Sequence, residues 1–272
     1  MNTPTSSYTT PHDLTPQRSS RSALQSSTPM PIRFRPSPSP HHAFQPSELA
    51  PFQRAKNRVV PTGPRMRRLP LGIGRGLRLE LDLQHWARLY LGLYEVELNR
   101  HLRALCRPGY RSFDVGGQNG YDAMVIARLT GAQVLSFECE SELADAMRRS
   151  VVANPDLKDL VHVHDGYVTH RSYKTESLIA LDDVAFGEDG FMPDFIKMDI
   201  EGAELEALKG AQHILCRRHP NMLIEVHSWD LEMECGKLLA DVGYTPSVVN
   251  PRKWVPDNRP TEHNRWLIAK GA

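Results

Sequence analysis

The chain reads as an α/β protein with a mostly parallel sheet covered by helices on both faces. Three observations predict this. From residue 111 onward, short apolar runs alternate with stretches of helical periodicity. The run FIKM at 195–198 stops at Asp199 and turns at once, through Glu201 and Gly202, into a helical pattern. Two final apolar runs, 246–249 and 266–269, have no long helix between them, which suggests an antiparallel hairpin at one edge. In open α/β sheets ligands sit beyond the carboxyl ends of the strands, so a carboxylate at such an end faces a site.

The elements follow in order. In LPLGIGRGLRLELDL at 69–83, Arg78, Glu80 and Asp82 alternate with Leu77, Leu79, Leu81 and Leu83. That alternation predicts a half-exposed strand, and the glycines before it suggest a hairpin. An amphipathic helix is expected at 94–105. The core then reads strand 112–115, helix 121–129, strand 133–137, helix 141–152 and strand 160–164. A connection of undefined form runs through Leu181. Strand 195–198, helix 203–217, strand 222–226 and helix 231–242 complete the alternation before the closing hairpin. Leu205, Leu208, Ala211, Ile214 and Leu215 carry the helical period of the 203–217 segment.

Charge divides the chain. The formal net charge is +1, yet residues 1–70 hold ten Arg or Lys against Asp13 and Glu48, or +8. The remainder holds 23 bases and 30 acids, or −7. Thirteen of the 21 prolines also precede residue 71. A segment this rich in Pro and Ser buries too little apolar surface to offset its ordering entropy. Residues 1–66 are therefore expected to be a disordered tail, 67–110 a hairpin and helix extension, and 111–272 the ligand-binding domain. No apolar run is long enough to span a bilayer and none resembles a signal-peptide core. Cys106, Cys139, Cys216 and Cys235 lack metal spacing and suit a reducing, cytoplasmic setting. The oligomeric state is not legible.

The first core strand ends FDVGGQNG at 113–120: Asp114 closes the strand, and Gly116, Gly117 and Gly120 make the turn. The next ends LSFECE, with Glu138 at its tip, 24 residues on. An acid there accepts hydrogen bonds from ribose hydroxyls. A dinucleotide site is one reading, but the spacing is Asp-x-Gly-x-x-x-Gly, and a carboxylate beside the turn would repel a pyrophosphate. The same carboxylate favours a cationic ligand, and S-adenosylmethionine is a nucleoside with a sulfonium and an amino group.

FDVGGQNGYDAMVIARL, FIKMDIEGAELEALKGA and PNMLIEVHS together resemble the FkbM family of S-adenosylmethionine-dependent methyltransferases. LGLYE at 91–95 is similar to the segment that precedes the family's core, and the resemblance spans roughly residues 70–270. The family's turn usually reads Gly-Ala-Asn-x-Gly, whereas this chain has Gly116-Gly117-Gln118-Asn119-Gly120. The resemblance implies a class I methyltransferase fold: a seven-stranded, mostly parallel sheet whose last strand is antiparallel. It also implies methylation of a hydroxyl on a sugar, polyketide or other small molecule. By analogy with the fold, Asp165 in His164-Asp165-Gly166 would approach the adenine amino group; otherwise Asp-Gly is a turn.

Three groups are placed for chemistry. Asp199 ends the fourth core strand, while Glu225 and His227 end the fifth and, two apart, share a face. His227 would serve as general base. Alternatively, Asp199, Glu225 and His227 would hold a divalent cation such as Mg²⁺ that acidifies the hydroxyl. Glu201 either faces the site or offsets a helix macrodipole. Lys197 shares the Asp199 face and would neutralise a carboxylate, and Tyr94 and Glu95 would close over the cofactor. Trp229, Trp254, His263 and Asn264 would line the acceptor wall. The competing functions are an NAD-dependent oxidoreductase and a non-catalytic S-adenosylmethionine-binding protein. The acidic folded part argues against a nucleic-acid substrate.

Overall fold

The structure, a computed structural model, describes residues 60–173, 177–252 and 264–271. Most of the expected tail, and the positions of Trp254 and His263, lie outside those residues.

The described chain begins with a hairpin, β1 (Arg65–Arg68) and β2 (Arg78–Leu81), paired antiparallel with Arg65 opposite Leu81. Arg65 and Met66, assigned above to the tail, therefore belong to a strand. Leu77, Leu79 and Leu81 are buried and Arg78 is exposed, as the alternation requires. Asp82 then caps α1 (Leu83–Tyr90), its carboxylate accepting from Gln84 N at 2.9 Å. The expected helix at 94–105 starts later: a 3₁₀ turn at Val96–Leu98 leads into α2 (Asn99–Leu105). Glu95 precedes that turn with φ of 43°, a left-handed conformation that breaks the helix there.

The core alternates as expected through β3 (Ser112–Val115), α3 (Tyr121–Thr130), β4 (Val134–Glu138), α4 (Ser141–Val152) and β5 (Val161–Asp165). The unassigned connection holds a small parallel pair, β6 (Tyr167–Val168) and β7 (Leu178–Ile179), and a short α5 (Leu181–Ala185). Next come β8 (Phe195–Met198), α6 (Glu204–Lys209), α7 (Gln212–Arg217), β9 (Asn221–Val226), α8 (Trp229–Asp241), β10 (Ser247–Val249) and β11 (Arg265–Ala269).

The single helix expected over 203–217 is two helices. A Cβ at Gly210 would sit 2.2 Å from the Thr169 carbonyl oxygen, so the chain comes too close to that neighbour for a side chain. Asp182 then caps α7 from outside, its two oxygens accepting from His213 N (2.8 Å) and Ile214 N (2.9 Å).

The seven core strands lie in the order β10-β11-β9-β8-β3-β4-β5. β11 is antiparallel to both β10 and β9, so the last strand inserts one place in from the edge. β8 shows how each face is filled. Ile196 and Met198 join one apolar cluster with Ala207, Leu208 and Leu239, and Phe195 joins the other with Leu223 and Trp266. Truncating a fully buried phenylalanine such as Phe195 costs about 3–5 kcal/mol. Lys197 points to the Phe195 face and is also buried, so its ammonium needs partners. Those partners lie at the site.

Candidate active site

The carboxyl ends of β3, β4 and β8 open onto a cleft of about 360 Å³. Gly116, Glu138 and Asp199 line it, with Trp86, Leu143 and Tyr167 supplying apolar surface. A hollow of about 10 Å³ lies between Trp86, Tyr94 and the glycine turn.

Gly116 has φ of 87°, and a Cβ there would lie 1.8 Å from the Asp199 carbonyl oxygen. The turn therefore lies directly on the end of β8, where Asp199 N donates to Val115 O at 2.8 Å. Glu138 is buried and holds two loops by their backbones, accepting from Gln118 N (2.7 Å) and Glu140 N (2.9 Å). Each carboxylate oxygen keeps a second lone pair for a ligand hydroxyl.

Four expected cofactor contacts sit elsewhere. Asp114 is fully buried beneath the turn and accepts from Ser136 Oγ at 2.8 Å. Burial pushes its pKa up to about 7 against the opposing pull of Lys197. Gly117 packs on Ser136 Oγ and borders the small hollow, and Gly120 packs on Met147. Asp165 pairs with Arg148 Nη2 at 2.6 Å and is not among the residues that line the cleft. α4 holds that guanidinium beside the end of β5, where it pairs with the exposed carboxylate.

On the other side of Asp199 the side chains converge. His227 Nε2 lies 3.6 Å from Asp199 Oδ1 and 3.7 Å from Glu225 Oε1. His227 Nδ1 meets Glu204 Oε1 at 2.9 Å, and Glu204 is fully buried. Trp266 Nε1 donates to Glu225 Oε2 at 3.1 Å. Burial works to lower the His227 pKa, but the Glu204 hydrogen bond and the charges of Asp199, Glu204 and Glu201 outweigh it and raise it. Lys197 Nζ bridges Asp122 (2.8 Å) and Asp199 (3.6 Å). Burial alone would discharge Lys197; Asp122, Asp199, Glu95 and Asp114 keep its pKa well above the ordinary value.

Tyr94 is half-buried, packs edge-on against Tyr121 and Trp86, and borders the hollow rather than the main cleft. Glu201 lines the cleft with φ of 48°, and the first turn of α6 holds Glu204 and Glu206 instead. Trp229 packs over the Arg265 guanidinium, 5.1 Å from its ring centroid. The sequence reading missed Glu204, the Asp122 partner of Lys197, and Trp86. Asp82, an N-cap residue before LQHWARLY, is the signal that would have found the helix carrying Trp86.

A sheet of this order, with an antiparallel strand next to its edge and a glycine turn after its central strand, is the class I methyltransferase fold. The family profile described as "Methyltransferase FkbM domain" matches residues 90–249. The chain belongs to that family. Among solved structures it is similar to a human methyltransferase 10 domain containing protein: 17% identity, 72% of this chain and 88% of that one, TM-score 0.50. It is also similar to methyltransferase FkbM from Methylobacillus flagellatus KT: 19% identity, 70% of this chain covered, TM-score 0.49. The match spans 56% of that protein's length. Among curated proteins, none matches the sequence.

Among the described residues, no helix is long and apolar enough to cross a membrane.

Proposed function

We propose that the protein transfers a methyl group from S-adenosylmethionine to a hydroxyl oxygen of a small molecule, such as a sugar or polyketide. One observation carries this reading: Asp199 both lines the cleft and stands beside His227 and Glu225. It thus joins a nucleoside-sized space to a group of proton-handling side chains. Glu138 offers lone pairs to a ribose. Asp199, Asp122 and Glu95 surround Lys197 with more negative than positive charge, which favours a sulfonium and an amino group nearby.

The reaction is an in-line displacement. An oxygen lone pair attacks the methyl carbon, and the S–CH₃ bond breaks with its electron pair returning to sulfur. The hydroxyl proton must leave, and Asp199, Glu225 and His227 draw it off. Holding the oxygen against the methyl supplies much of the rate. The three side chains do not suit the expected Mg²⁺, which favours six oxygen ligands including waters. One of the donors here is an imidazole nitrogen. On this reading residues 111–272 carry out catalysis, and Trp86 of the 67–110 extension lines the cleft.

The test is a screen of sugars, polyketides and lipids with methyl-labelled donor, followed by His227→Ala on the acceptor found. His227→Ala should lose about 10²–10⁴-fold in turnover while calorimetric donor affinity stays within about twofold. Full turnover in that variant would refute the assigned role. Donor binding with no transfer to any acceptor would favour the non-catalytic alternative.

A further inference from the structure

We propose that Asp199 Oδ1, Glu225 Oε1 and His227 Nε2 form a binding site for a divalent transition-metal ion of the Zn²⁺ class. These residues are the one such donor group among the described residues, with ligand atoms all within 4.8 Å of one another. Tetrahedral ligands at Zn²⁺ bond lengths stand about 3.4 Å apart. The imidazole lies 3.6 and 3.7 Å from the two carboxylates, a few tenths of an ångström beyond that spacing.

The stronger argument is how the three donors are held. Each uses its other polar atom on a second partner. His227 Nδ1 is bonded to Glu204 Oε1 (2.9 Å), and that oxygen is fixed by Gly202 N (3.0 Å). Glu225 Oε2 is held by the Trp266 indole at 3.1 Å. Asp199 Oδ2 faces the Lys197 ammonium at 3.6 Å. A metal-binding imidazole characteristically gives its second nitrogen to a carboxylate, and ligating carboxylates are themselves hydrogen-bonded. All three donors are anchored at or just beyond the ends of β8 and β9, adjacent parallel strands, and all are largely shielded from water. Lys197 is not a bar to a cation, because its ammonium lies closer to Asp122, at 2.8 Å, than to Asp199.

Two carboxylates and one imidazole match ions that accept nitrogen and oxygen together better than they match Mg²⁺ or Ca²⁺. Three protein ligands leave a position open, and Asp199 places it at the cleft wall. In the ion-loaded protein the three side chains act as ligands rather than as proton acceptors, and an acceptor hydroxyl bound to the ion would lose its proton to water more readily. That consequence rests on the methyl-transfer reading; the metal site does not.

The experiment uses the full chain, stripped with a chelator and titrated separately with Zn²⁺ and Mg²⁺ in a calorimeter. The expected result is one equivalent of Zn²⁺ at least tenfold tighter than Mg²⁺. His227→Ala and Glu225→Gln should each weaken Zn²⁺ at least a hundredfold. Glu204→Gln should weaken it about tenfold through the orientation of the imidazole. S-adenosylmethionine titrations of the same variants show that they are folded. The proposal is overturned by no stoichiometric Zn²⁺ binding, by Mg²⁺ binding as tightly, or by equal Zn²⁺ affinity in His227→Ala and Glu225→Gln. Zn²⁺ bound at these residues without any methyl transfer would sink the proposed function and leave the metal site standing.

Discussion

Two regions of one sheet carry buried carboxylates and treat them in opposite ways. At the end of β4, both oxygens of Glu138 accept backbone N–H groups, from Gln118 and Glu140. At the ends of β8 and β9, the carboxylates of Asp199 and Glu225 meet side chains: Lys197, His227 and Trp266. The first arrangement shapes a pocket wall whatever side chains the loops bear, which suits a ligand that never varies. The second sets reactive groups against one another, which suits chemistry. The two regions touch where the Gly116 turn lies on Asp199.

That contact is where the division can be broken most severely. Gly116→Ala puts a methyl 1.8 Å from a carbonyl oxygen, in a conformation that favours glycine. It should cost about 3 kcal/mol or more, seen as a melting point lower by roughly 6–12 °C. Both donor affinity and turnover should fall with it. If only one fell, the turn would serve a single region.

Glu138 separates the regions more finely. Glu138→Ala removes two charge-assisted bonds to backbone, worth about 1.5–3 kcal/mol each when made to a charged group. Donor affinity should drop about 10–100-fold by calorimetry. Turnover at saturating donor should stay within about threefold, since nothing at β8 or β9 has moved. A collapse in turnover with affinity intact would reverse the assignment.

Asp114 tests the ground beneath the turn through pH. Its folded pKa, about 7, is raised by burial above the ordinary carboxylate value of 3.8. The fold therefore holds this proton more tightly than the unfolded chain does. Its stabilising contribution is complete below about pH 4 and is lost as pH rises through about 7. Asp114→Asn should flatten the fall in melting temperature between pH 5.5 and 8. An unchanged slope would show that the wild-type carboxyl is already ionised across that range.

The regions also differ in how far they could be read from sequence. β3, α4 and β8 fall where the apolar runs and helical periods put them, because each is set by local pattern. Glycines and Glu138 were visible because their spacing is local too. The pairing of Glu204 with His227 joins residues 23 apart, and no periodicity signals it. The break between α6 and α7 was hidden for the same reason. Leu205, Leu208, Ala211 and Ile214 keep the helical period across it, while its causes, Thr169 and Asp182, lie on another segment.

Asp165 gives the smallest expected effect and the sharpest check on the boundary of the cofactor region. Fold analogy put it against adenine; the structure pairs it with Arg148 at 2.6 Å, with its side chain 57% exposed. An exposed pair of this kind contributes about 0–1 kcal/mol. Asp165→Ala should therefore leave both melting point and donor affinity almost unchanged, the latter within about twofold. A tenfold loss of affinity, about 1.4 kcal/mol, would exceed what a surface ion pair can supply. It would mean that the bound nucleoside draws Asp165 away from Arg148, and Arg148→Ala should then tighten donor binding by releasing the carboxylate in advance.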